Sequence, residues 1–100
     1  MFLGKVIGTV WSTKKDENLV GAKFLIVRQL DLELKDKDNF VVAVDSVGAG
    51  EGEVVLVATG SSSRQTEFTK NKPVDAVIMA IVDKLDITLK NILEKPEERL

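Results

Sequence analysis

The stretch "SVGAGEGEVVLVATGSSSRQT", residues 46–66, holds the two features of this chain that could do chemistry. Glycines at 48, 50 and 52 could turn backbone N–H groups toward a phosphate. Ser61, Ser62 and Ser63 beside Arg64 could offer a nucleophile next to a cation. The phosphate reading meets opposition at once. "GAGEG" lacks the spacing of the dinucleotide fingerprint, and a strand pattern follows it where that fingerprint needs a helix. No Gly-Lys-Ser/Thr comes after it, and Glu51 and Glu53 would repel a phosphate. The nucleophile reading lacks a base, because the chain has no histidine and no spacing places a lysine beside a serine.

Carboxylates are the remaining acid–base candidates. Asp45, Glu53, Asp75 and Asp83 all border apolar segments where burial raises a carboxyl pKa, but nothing in the spacing pairs them. Asp31, Glu33, Asp36 and Asp38 in "DLELKDKDN" lack the glycine and terminal glutamate of a calcium loop, so they read as a solvated turn. From the residues alone, 48–52 is a tight turn needing positive φ or close backbone approach. Residues 60–68 read as a short helix capped by Ser61 or Ser62, with Arg64 in an ion pair.

Composition sets the wider limits. One hundred residues with 44% hydrophobic content make one core, hence one domain. The formal net charge of −2 provides no broad field for nucleic acid or anionic lipid. Cysteine is absent, which removes disulfides, thiolate zinc sites and cysteine nucleophiles and suits a reducing cytoplasm. No cofactor or metal is implied. Lys5 interrupts the apolar N-terminus, unlike a secretory signal, and no run approaches the roughly 20 apolar residues of a membrane helix.

The elements that must position residues 46–66 are mainly strands. Residues 2–12 form strand one, with Leu3, Ile7 and Trp11 on one face and Gly4, Val6, Gly8 and Val10 on the other. The glycines on the Val6 face suit a tightly coiled, barrel-like strand. Residues 22–30 form strand two, with Phe24, Ile26 and Arg28 opposite Leu25 and Val27. Residues 40–47 and 53–59 form strands three and four, paired as a hairpin across the glycine turn. β-Branching makes residues 74–87 a fifth strand covered on both faces. Residues 88–100 form a docking arm or tail outside the 1–87 domain. The sum is a mainly β fold, a small five-stranded antiparallel β-barrel of the oligonucleotide/oligosaccharide-binding (OB) type with a short helix. Phe2, Trp11, Phe24, Phe40 and Phe68 are not interleaved with basic residues, so the barrel lacks the stacking surface of a nucleic-acid binder. Adjacent apolar residues in so small a domain point to covering by another chain.

Taken in order, "GKVIGTVWSTKKDENLVGAKFLIVRQLD", "VAVDSVGAGEGEVVLVATGSSSRQT" and "KPVDAVIMAIVDKLDI" resemble the EutN/CcmL family, the pentameric vertex proteins of bacterial microcompartments. The resemblance spans residues 1–87. It implies a non-enzymatic subunit of a five-membered ring at the corners of a cytoplasmic polyhedral shell, with hexamer-forming shell proteins as partners. It also implies that Ser46, Val47, Gly48, Ala49, Gly50, Ser62, Arg64 and Gln65 serve the subunit contacts or ring interior. On that view a bulky side chain at Gly48 or Gly50 disrupts the turn or the ring. The alternative is a small barrel that binds nucleic acid or a small anion through the glycine loop.

Overall fold

The structure is a computed structural model that describes residues 1–67, 69–70 and 74–87, with the Ser62 side chain left out. The expected tail, residues 88–100, and Phe68 lie outside the described residues. Five strands, β1 (Phe2–Val10), β2 (Phe24–Leu30), β3 (Asp36–Asp45), β4 (Val54–Thr59) and β5 (Ala76–Ile81), close a barrel in the order β1-β2-β3-β5-β4. The expected mainly β, OB-like barrel is therefore the fold. Four of its joints are antiparallel and the fifth, β3 with β5, is parallel.

The expected hairpin of strands three and four does not form. β4 pairs with β1 and β5, and β5 separates it from β3. The glycine-rich segment is thus a crossing from one side of the barrel to the other. Short-range economy favoured the hairpin, but closing the barrel satisfies every sheet edge, and only β5 can bridge β3 and β4.

Alternation along β1 holds as far as Val6, which pairs inward with Val27. A bulge at Ile7 then shifts the register, so that Gly8 pairs with Ile26 and Val10 with Phe24. Both partners belong to the outer face of β2, so Gly8 and Val10 leave the Val6 face and the strict period-two reading fails there. Trp11 lies beyond the strand and is 88% exposed. β2 begins at Phe24, two residues later than expected, and keeps the expected faces, with Leu25 and Val27 buried. β3 starts at Asp36, because the turn after β2 is tighter than its charges suggest. Asp31 Oδ1 accepts the N–H groups of Glu33 at 2.7 Å and Lys35 at 3.0 Å. These bonds, that of Lys35 first, hold the Asp31 carboxyl below its ordinary pKa.

Val6, Leu25, Val27, Ala43, Val55, Val57 and Ile78 fill the barrel interior. A second cluster lies on the outer wall, where Ala22, Val44, Ala58, Val74 and Val77 pack with Leu19 and Phe24. Successive residues Ala76, Val77 and Ile78 are all buried. The first part of β5 therefore has the cover on both faces that its β-branched sequence calls for. The segment before β2 supplies that outer cover. Lys15 closes its edge, with Nζ 5.3 Å from the centre of the Phe24 ring.

Candidate functional site

Asp45 ends β3 and organises the glycine segment. Its Oδ1 accepts three backbone N–H groups, from Val47 at 3.1 Å, Gly48 at 3.1 Å and Ala49 at 3.2 Å. Gly48 sits at φ +79°, within the left-handed region that lets the chain wrap one oxygen in this way. The wrap delivers Ala49 into the barrel core at 1% exposure. Glu53 repeats the device, its Oε1 accepting the Gly50 N–H at 2.7 Å. Gly52, at φ +86°, then donates its N–H to the Val6 carbonyl at 2.8 Å. Two side chains complete the hold. Ser46 Oγ donates to the Ile78 carbonyl at 2.6 Å, and Lys23 Nζ donates to the Ala49 carbonyl at 3.3 Å.

This geometry decides the chemistry of the loop. The N–H groups of residues 47–50 all point at the protein's own carboxylates, so a phosphate would have to displace an anion to reach them. Asp45 and Glu53, two acid–base candidates of the sequence, are structural acceptors here. Ser46, Val47 and Gly48 remain exposed around a rigid backbone.

The Ser-Arg segment is a 3-10 helix, Gly60–Arg64, opening on Gly60 at φ +62°. Gly60 donates its N–H to the Asp75 carbonyl at 2.9 Å. The Ser63 hydroxyl, which the sequence reading left out of the proposed contacts, is buried. Ser63 Oγ lies 2.6 Å from the Gly60 carbonyl and 3.0 Å from the Val74 carbonyl, and its one proton serves either. It therefore ties the helix to the approach of β5. The signal that could have found it is its place three residues after Gly60, where a serine reaches back to the preceding turn. Arg64 Nη1 donates to the Val74 carbonyl at 3.1 Å, a backbone partner where an ion pair was expected. Gln65 is exposed, and its side chain lines a shallow polar groove with Thr66, Glu67 and Lys70.

The two segments do not converge on one pocket. Both hang on β5 and the residues leading into it, one at Ile78 and the other at Val74, about 13 Å apart along an extended chain. Among the described residues no group of His, Cys, Asp or Glu is arranged to hold a metal ion, Asp31, Glu33, Asp36 and Asp38 included. No described helix is long and apolar enough to cross a membrane.

A rigid closed barrel with stiff surface loops is a scaffold for contacts, and comparison with known proteins bears on which contacts. The family described as "Ethanolamine utilisation protein EutN/carboxysome" matches residues 1–83. The chain belongs to the EutN/CcmL family. A bacterial microcompartment shell vertex protein, GrpN of Rhodospirillum rubrum, is 48% identical over 86 residues, which is 86% of this chain and 97% of that protein. The carboxysome shell vertex protein CcmL of a Synechocystis strain is 40% identical over 98 residues, 98% of each. The solved structure of GrpN, described as a pentameric microcompartment shell protein, superposes with TM-score 0.81 at 46% identity and covers 88% of this chain and 100% of GrpN. This EutN/CcmL member is a structural shell protein and not an enzyme, as its vertex-protein relatives are.

The loop geometry sets Gly48 and Gly50 apart. A Cβ on Gly48 meets no atom within 4 Å but has to adopt positive φ, whereas Gly50 has ordinary φ and a Cβ there would sit 3.6 Å from Glu53 Oε1. The shared backbone penalty expected from the sequence therefore applies to Gly48 alone. Gly48→Ala is expected to cost about 1–2 kcal/mol in urea denaturation. Gly50→Ala is expected to stay within about 0.5 kcal/mol of the parent. Equal losses at both positions would contradict this division.

Proposed function

We propose that the chain assembles into a homopentamer that caps the vertices of a bacterial microcompartment shell, with hexamer-forming shell proteins as its neighbours. The observation that carries this reading is the match to GrpN, described as pentameric, over that protein's whole length. The mechanism is geometric. Six-fold tiles alone extend as a flat sheet, and a five-fold tile at each corner removes one wedge, curves the sheet and closes it. A vertex subunit therefore needs stiffness and a heterologous contact that closes after five copies.

The loop at Ser46, Val47, Gly48, Ala49 and Gly50 and the segment with Ser62, Arg64 and Gln65 are proposed to serve the subunit contacts. Support comes from the rigidity given by Asp45, Glu53, Ser46 and Ser63, joined to the exposure of Val47 and Gln65. Within this set Ala49 acts from inside the subunit by filling the core, and Arg64, though exposed, is tied to its own subunit by its bond to Val74.

Native mass spectrometry tests the ring. From a chain of 11.0 kDa, the expected species weighs about 55 kDa, five copies, and persists on dilution. A monomer overturns the reading, and a hexamer overturns its five-fold geometry. Co-expression with hexamer-forming shell proteins tests the partners, with closed polyhedra expected when the chain is present and tubes or sheets when it is omitted.

A further inference from the structure

Two cations stand side by side on the outer wall of the barrel. Lys5 of β1 and Arg28 of β2 are direct cross-strand partners, on the strand faces turned away from Val6 and Val27. The Cβ atoms of such partners lie about 5 Å apart, and like charges set so closely destabilise a sheet. One contact eases the crowding. Arg28 Nη1 donates to the Lys37 carbonyl at 3.3 Å, which leaves further guanidinium N–H groups for another acceptor. Among the described residues neither cation is in an ion pair, Asp36 and Asp38 on β3 and Asp83 and Asp86 after β5 included.

The pair belongs to a row that crosses the whole barrel. Val54 stands beside Lys5 on β4, and Phe40, 61% exposed, stands beside Arg28 on β3. Val82, just past β5, extends the row by donating its N–H to the Val54 carbonyl at 2.8 Å. The chain therefore leaves the barrel at the end of the row that holds the two cations. Leu85 and Ile87 are half-buried, so the backbone keeps to the barrel surface as far as residue 87. Lys5 is two strand spacings from Val82 and Arg28 is three, about 10 and 14 Å. From Val82 to Glu98 the chain can span about 50 Å, several times that distance.

The sequence beyond residue 87 holds what the cation pair lacks. Glu94, Glu97 and Glu98 put three carboxylates within five residues, with Lys95 as the one cation between them. Leu89, Ile92 and Leu93 come before them and suit the apolar neighbours of the pair. We infer that residues 88–100 turn back over the outer wall of their own barrel and set the glutamates of 94–98 on Lys5 and Arg28. The occupant of this face is the chain's own end. A carboxylate placed between the two cations replaces their repulsion with charge-assisted hydrogen bonds to both. The end of the chain then acts as a strap across β4, β1 and β2, holding the barrel from outside. The inference concerns one subunit and stands apart from the number of copies in the ring.

Carbodiimide coupling of the full chain tests the placement, because it joins a lysine amine to a carboxylate only where the two touch. Lys5 is expected to couple to Glu94, Glu97 or Glu98. Assemblies refolded from a mixture of isotope-labelled and unlabelled chains are expected to give coupled peptide pairs of a single label. Pairs that combine both labels would put the strap on a neighbouring copy, and coupling of Lys5 to none of the three glutamates would leave the cations to a different partner. Either result overturns the inference. A thermal cycle tests the charge. Glu94→Gln, Glu97→Gln and Glu98→Gln together are expected to lower Tm by about 2–4 °C at low salt and by less at about 1 M salt. With Lys5→Gln and Arg28→Gln already in place, the same three changes are expected to leave Tm where it is. An equal loss in both backgrounds would show that the glutamates act elsewhere, and the strap would be refuted.

Discussion

Gly4→Val is expected to destabilise the barrel severely. Gly4 faces the barrel interior between Val27 and the β2 backbone. A Cβ there would overlap Val27 Cγ1 and lie 3.0 Å from the Arg28 carbonyl oxygen, with Phe2 Cε1 at 3.4 Å. The side chain of Val27 is fully buried and has no room to turn away, and the carbonyl belongs to a strand paired on both sides. Overpacking of a dense core typically costs about 1–3 kcal/mol, and valine adds two methyl groups beyond the atom that already overlaps, so about 3 kcal/mol or more is expected. That is a large share of the stability of a 100-residue domain. Gly4→Ala isolates the cause. It should lower the urea midpoint, Val27→Ala should cost about 2–3 kcal/mol through its cavity, and the double variant should cost less than their sum. Strict additivity would show that Val27 is not what excludes a side chain at residue 4.

Asp45→Ala is expected to cost about 2–3 kcal/mol, roughly what one carboxylate with several backbone donors contributes. Water can replace the carboxylate at the exposed N–H groups of Val47 and Gly48, but the Ala49 residue is buried against the core. Losing the wrap therefore withdraws a core residue as well as three hydrogen bonds. Asp45→Asn retains an acceptor oxygen without the charge and should lose about half as much. Urea denaturation gives the size of the effect, and hydrogen exchange at the Ala49 amide gives its place, since that amide should lose protection before those of β2. Unchanged exchange at Ala49 would mean that the core, not the carboxylate, holds the loop.

The sequence showed most where the physics is local. The buried alternation of Leu25 and Val27 against Phe24, Ile26 and Arg28 was legible because each of these β2 residues has a partner on both sides and the bulged residue lies in β1. The double burial of Ala76, Val77 and Ile78 was legible from a β-branched run too apolar to face water. The Ile7 bulge left no mark in residue type, since Gly-Thr-Val continues an acceptable strand in either register. The separation of β3 from β4 was hidden for a different reason. A glycine turn between two strands fits a hairpin and a crossing equally well, and only the far end of the chain, by supplying β5, decides between them. At the candidate site, the glycines and the Ser-Arg cluster stood out by composition. Asp45 and Glu53 looked like possible acids and bases because a carboxylate that binds its own backbone has the same spelling as one that binds a proton. Ser63 was overshadowed by its neighbours because nothing in residue type separates it from the exposed Ser61.

The joint between β3 and β5 is two residue pairs long, Val44 with Val77 and Asp45 with Ile78, against six between β1 and β2. Those partners stand more than 30 positions apart in the chain, while β2 and β3 are joined by a turn of only five residues, 31–35. Contacts between distant parts of a chain form slowly, because the intervening loop must be ordered before any reward arrives. This seam should zip late during folding, as should the β1–β4 joint, whose partners stand 49 to 55 positions apart. Until it does, the newborn subunit is an open curl with a bare β3 edge, the state in which a strand most readily takes a wrong partner. The Ser46 hydroxyl on the Ile78 carbonyl and the Asp45 wrap lie directly against the seam, so the same loop that stiffens the finished subunit also shortens the interval in which an unfinished one can aggregate.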